Sequence, residues 1–227
     1  MKFLLNVGAE KAGTTWLYNY FQTHPEFYDN GKELNVIQRD NLVPTHFMRA
    51  DYKSNLNEYF DDISKINKVT GDFTHYEGST ENLFRLFNEA LDVVPVYIMR
   101  DPIKRAWSAW NMLGGGADFD MPAPAFFVTH NYLQCKYKET VEALDNVFHN
   151  PLYFFYEDFF KQENLNHICK ELKIFEHPGE FTKIHNQGNY VKDGIPKKFI
   201  DKFVNKEIIN FIFDRFNTVP WNLNDYQ

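Results

Sequence analysis

The sequence predicts an α/β fold: a single domain over residues 1–227, with a central, mostly parallel sheet flanked by helices. Three observations predict it. Short apolar runs of strand length recur along the chain, and most are followed by apolar residues at helical spacing. The first run passes through a glycine-bounded loop into a helix, and a later run enters its helix through an Asp-Pro step. No internal repeat and no Pro-, Gly- or Ser-rich linker divides the chain.

The elements follow in order. Residues 3–7, Phe-Leu-Leu-Asn-Val, form a buried strand ended by Gly8, and residues 8–13 form a loop. From Thr14 onward, Trp16, Leu17, Tyr20 and Phe21 keep helical spacing until His24-Pro25 stops the pattern. Residues 56–66 read as a helix, 69–71 as a short strand, 81–91 as a helix and 93–99 as a second buried strand. Asp101 is a good N-cap, and Pro102 suits the first helical position. That helix runs past Trp107 and Trp110 to Leu113, before three glycines at 114–116. Residues 114–135, rich in Gly, Pro and aromatics, read as a loop over the site. Residues 152–156 make a further strand and 164–172 a helix. Residues 196–216 carry a long amphipathic pattern through Phe199, Phe203, Ile208, Ile209, Ile212, Phe213 and Phe216.

Composition narrows the function. With 44% hydrophobic and 24% charged residues, the chain buries a core and is no disordered tail. A net charge of −7 and a pI near 5.6 argue against a protein that coats nucleic acid or an anionic membrane, while allowing a local basic pocket. Cys135 and Cys169 cannot make a disulfide framework and read as free thiols in a reducing compartment. The opening apolar run is too short for a signal peptide, and no stretch approaches the ~20 residues that span a bilayer. The expectation is a soluble, cytoplasmic protein without a nucleic-acid partner.

Gly8-Ala9-Glu10-Lys11-Ala12-Gly13-Thr14-Thr15 has the glycine spacing of a phosphate-binding loop opening a helix. Such a loop aims several backbone N–H groups at one anion, and the helix N-terminus adds about half a positive charge. A nucleotide-triphosphate loop needs lysine directly after the second glycine. Here that place is Thr14, and the lysine stands inside the loop as Lys11. The second motif is Arg100-Asp101-Pro102-Ile103-Lys104-Arg105-Ala106-Trp107-Ser108. Arg100 ends a strand and Ser108 lies about two turns into the helix, so a guanidinium fork and a hydroxyl can share one phosphate monoester.

Lys11-Ala12-Gly13-Thr14-Thr15-Trp16 resembles the 5′-phosphosulfate loop of the sulfotransferases that use 3′-phosphoadenosine 5′-phosphosulfate (PAPS), with Ala12 where many members have Ser or Thr. Arg100 and Ser108 match their 3′-phosphate segment in order and spacing, and Tyr156-Glu157-Asp158 is similar to a third family segment. The resemblance implies the P-loop-like sulfotransferase fold. It also implies PAPS as co-substrate, adenosine 3′,5′-bisphosphate (PAP) as product, and no metal requirement. Lys11, Ala12, Gly13, Thr14 and Thr15 would hold the 5′ end, with Lys11 neutralising charge on the leaving oxygen. Trp16 and Tyr156 would lie near the adenine. Lys192, or Lys197, would stand in for the basic loop that completes the 3′-phosphate site.

A general base is expected for the acceptor hydroxyl or amine. Glu33, in Gly31-Lys32-Glu33, is similar to the base of glycan sulfotransferases, although Asn35 replaces a histidine found in some of them. Cytosolic members use a histidine on another segment, which makes His75 the alternative. The acceptor is expected to be a small molecule or carbohydrate. A P-loop kinase or NTPase shares the loop geometry but predicts lysine at position 14. A non-catalytic nucleotide-binding module would keep Lys11 and Arg100 and need no base.

Overall fold

A computed structural model describes residues 2–31, 56–79, 81–112, 136–182, 195, 197, 199–200 and 206–221. Its elements are β1 (Lys2–Gly8), α1 (Thr14–Gln22), α2 (Leu56–Ser64), β2 (Thr70–Asp72), α3 (Glu81–Ala90), β3 (Asp92–Met99) and α4 (Pro102–Met112). They continue with α5 (Tyr137–Val147), β4 (Leu152–Phe155), a short helical turn α6 (Tyr156–Phe159), α7 (Gln162–Leu172) and α8 (Lys206–Phe216). The four strands form one parallel sheet in the order β2-β1-β3-β4. This is the α/β architecture the sequence predicts.

The sheet is buried on both faces, which is why β1 and β3 read as continuous apolar runs. Successive β1 side chains alternate between the faces. Phe3 stacks on Phe87 of α3, while Leu4 packs toward Phe27, itself against Phe21 of α1. Gly71 in β2 lies so close to β1 that a Cβ there would sit 2.6 Å from the Leu4 carbonyl oxygen. Only glycine fits that pairing.

Several boundaries differ from expectation. Tyr156 leaves β4 and opens α6, and α7 begins at Gln162 instead of 164. The expected long C-terminal pattern holds α8 at Lys206–Phe216, with Phe199 buried against Trp107 and Trp110. Helix α5 was not expected, although Tyr137, Val141 and Leu144 keep helical spacing and are all buried. The loop expected at 114–135, with Cys135, lies outside the described residues, as do Glu33 and Lys192. No helix among the described residues is long and apolar enough to cross a membrane.

Candidate functional site

In an open parallel sheet, ligands bind beyond the carboxyl ends of the strands, where successive connections run to opposite sides. Here that point lies between β1 and β3, since β2 is on one side and β4 on the other. Both sequence motifs start there. The glycine loop leaves β1 at Gly8, and Arg100 follows β3 directly.

The loop is shaped by left-handed backbone at Lys11 (φ 65°) and Gly13 (φ 87°). At Gly13 a side chain is excluded twice, by that φ and because a Cβ would lie 2.9 Å from the Phe160 ring. Ala9 donates its N–H to the Ile98 carbonyl (2.8 Å) and Ala12 to the Ala9 carbonyl (3.1 Å), which anchors the loop on β3. Among the described residues, the N–H groups of Lys11, Gly13 and Thr14 find no acceptor. Three open amides at and just before the head of α1 are donors of the kind an anion cradle needs.

The carbonyls of the same loop are held by arginines. Arg100 donates Nη1 to the Lys11 carbonyl (2.7 Å), and Arg105 donates Nε to the Glu10 carbonyl (2.8 Å). Arg105 is 2% exposed and pairs with Glu77 through both guanidinium ends, Nη1 to Oε1 at 2.7 Å and Nη2 to Oε2. Arg100 is different. Its guanidinium lies over the Tyr156 ring at 4.3 Å, and its buried Nε has no acceptor. Among the described residues, no carboxylate lies within ion-pair distance of it, so its charge is open to an outside anion.

Asp101 caps α4 as expected, accepting from the N–H groups of Ile103 (2.9 Å) and Lys104 (3.1 Å). Its own N–H donates to Glu157 Oε1 (3.3 Å), while Glu157 Oε2 accepts from Trp221 Nε1 (3.2 Å). Burial pushes the Glu157 carboxyl above the ordinary range.

No protein-family model and no curated protein matches the sequence. Solved structures do. A sulfotransferase from Alicyclobacillus acidocaldarius superposes with a TM-score of 0.61 at 15% identity, over 88% of this chain and 89% of that one. The sulfotransferase domain of the Synechococcus PCC 7002 olefin synthase gives 0.50 at 14% identity, over 100% of this chain and 91% of that one. Mouse sulfotransferase SULT7A1, complexed with PAP, gives 0.47 at 18% identity, over 94% and 81%. The fold is that of the sulfotransferases.

Within this sulfotransferase fold the remaining expected residues fall as follows. Ala12 is buried in the loop, and at the head of α1 Thr14 is buried and Thr15 half-buried. Lys11 Nζ reaches Met112 Sδ (3.4 Å), at the far end of α4. Ser108 is buried on α4, three residues after Arg105 and so on the same helical face. Tyr156 comes to the loop as well as to Arg100, its ring 3.5 Å from where a Gly13 Cβ would stand. Trp16 is not an open platform. It is 7% exposed, covered by Phe181 (centroids 5.6 Å) and Tyr20 (6.4 Å), with Nε1 donating to the Glu180 carbonyl (3.2 Å).

His75 is half-buried just beyond β2, beside Tyr76, whose N–H donates to the Val7 carbonyl (2.9 Å). Below it, Asp72 accepts from the Tyr76 hydroxyl (2.7 Å), the Tyr59 hydroxyl (3.2 Å) and the Thr74 N–H (2.8 Å). Burial raises the Asp72 carboxyl despite these bonds. Arg105, Glu77, Asp72 and Glu157 were not among the expected site residues. For Arg105 a signal existed, since it stands in the second motif five residues after Arg100.

Proposed function

We propose that this chain is a sulfotransferase that moves the sulfuryl group of PAPS to a hydroxyl or amine on a small-molecule or carbohydrate acceptor. One observation carries the reading: at the switch point between β1 and β3 lie, among the described residues, three loop amides without an acceptor and an arginine without a carboxylate partner. That donor set fits a nucleotide with an anion at each end. The orphaned Arg100 Nε is a buried polar group that a phosphate oxygen would satisfy. The sulfotransferase fold of the solved neighbours supports the same reading.

The co-substrate, when bound, supplies a sulfuryl group on a good leaving phosphate. Residues 11–15 would grip the 5′-phosphate through backbone amides, and Lys11 would neutralise the charge that grows on its oxygen. Arg100 and Ser108 would hold the 3′-phosphate, with Lys192 completing that end. Tyr156 would present its ring edge toward the base, and contact at Trp16 would require Phe181 to swing aside. Glu33 or His75 would take the acceptor proton.

Calorimetry with PAP, paired with transfer from labelled PAPS across an acceptor panel, tests the reading. Binding of PAP by the wild type and a loss of about 10–100-fold in Arg100→Ala are expected, since hydrogen bonds to charged groups contribute about 1.5–3 kcal/mol. Absence of PAP binding, or unchanged affinity in Arg100→Ala, would sink it. Glu33→Gln that binds PAP normally but fails in transfer would assign the base, whereas loss in His75→Ala alone would assign it to the histidine.

A further inference from the structure

Arg105 is an expensive residue to bury. A guanidinium taken from water is tolerated only with its donors satisfied, and a buried ion pair is often no more stabilising than apolar residues of similar volume. The pair of Arg105 (2% exposed) and Glu77 (8% exposed) therefore needs a reason beyond stability. Its position supplies one. Two of its three guanidinium nitrogens are occupied by Glu77, and the third, Nε, holds the Glu10 carbonyl at 2.8 Å. Glu77 itself sits against the loop, its Cβ 3.8 Å from where a Gly8 Cβ would be.

In a trans peptide the C=O and the following N–H point in opposite directions. Fixing the Glu10 carbonyl on Arg105 therefore turns the Lys11 N–H away from the protein, toward the open side of the cradle. Glu77 cancels the charge, so this arginine orients the loop without adding a cation to the anion site. Tyr137 closes the arrangement. Its ring lies beneath the Arg105 guanidinium (5.5 Å), and its hydroxyl donates to the Arg100 carbonyl (2.7 Å).

We propose that Arg105 and Glu77 are positioning residues that set the backbone of the phosphate loop, acting on the 5′ end of the nucleotide without touching it. This rests on reading residues 8–15 as an anion loop. The double variant Arg105→Met with Glu77→Leu replaces the pair by apolar volume and is expected to keep the urea midpoint of the wild type. In the ligand-free protein, hydrogen exchange at the Ala9 and Ala12 amides is expected to accelerate at least tenfold. By calorimetry, affinity for PAP is expected to fall at least 30-fold, while affinity for adenosine 3′-monophosphate, which lacks the 5′-phosphate, stays within threefold.

A purely structural pair would move both nucleotides together or neither, and that result would overturn the proposal. Unchanged exchange in a variant of unchanged stability would overturn it too. If the wild type binds neither nucleotide, the functional reading falls and the exchange experiment alone decides whether the pair sets the loop. Should the double variant not fold, Arg105→Lys serves instead. It keeps a charge on Glu77, but one ammonium replaces a fork that spans the carboxylate and the Glu10 carbonyl. The same split between the two nucleotides is expected, and wild-type behaviour in Arg105→Lys would refute the assignment.

Discussion

Lys11 contributes to the site in two separable ways. Its carbonyl and N–H belong to the loop frame, whereas its ammonium extends to Met112 Sδ. Lys11→Ala removes the ammonium with its aliphatic stem and leaves the carbonyl and N–H in place. Turnover is expected to fall about 10²–10³-fold, the usual cost of losing one group that stabilises developing charge, with PAP affinity changed far less. Single-turnover kinetics beside calorimetry would check this, and equal losses in both would reject the role. At this scale the sequence was readable wherever backbone chemistry dictates residue type. Asp101 caps a helix and Pro102 opens it, and each stands as expected. Partners distant in the chain were not readable. Nothing in the sequence announces that Arg105 meets Glu77, 28 residues earlier, or that Glu157 meets Trp221, 64 residues later. In so aromatic a chain the fate of one ring is equally hidden, and Trp16 is more enclosed than its motif implies.

At the scale of elements, β2 is tightly constrained. Its three residues pair with β1, and Gly71 permits the approach by lacking a side chain. Gly71→Ala would push a methyl to within 2.6 Å of a backbone oxygen, a contact that cannot relax by moving a side chain. Overpacking of this kind costs about 1–3 kcal/mol, so a matching drop in the stability read from urea unfolding is expected. An unchanged midpoint would mean that β2 does not pair as described. Strands and most helices were legible because apolar runs and helical periodicity are local signals. Helix α5 escaped because its buried stripe, Tyr137, Val141 and Leu144, follows directly on the Gly- and Pro-rich stretch that read as loop.

For the whole molecule, buried carboxyls contribute to the response to pH. Asp72 and Glu157 are both raised by burial above their ordinary values of 3.8 and 4.5. The folded chain holds those protons more tightly than the unfolded chain does. Their contribution to stability is therefore complete below the ordinary carboxylate values and is lost as pH rises through the raised ones. Asp29, lowered by its hydrogen bonds from Gln22, Gly31 and Tyr18 even though burial opposes them, acts in the other direction and only in more acid solution. As pH rises above 4.5, the urea midpoint is expected to decline more steeply in the wild type than in Glu157→Gln, which cannot ionise. Parallel slopes would show that Glu157 does not titrate in that window.

The strand order has a consequence for how the molecule is made. Of the four described strands β1 is made before the others, yet its neighbours are β2, at residues 70–72, and β3, at residues 92–99. At ~5–20 residues per second, the nascent glycine loop waits several seconds before the strand that anchors Ala9 has even been synthesised. A ligand of this loop cannot assist early folding, because the backbone contact that anchors the loop is made late.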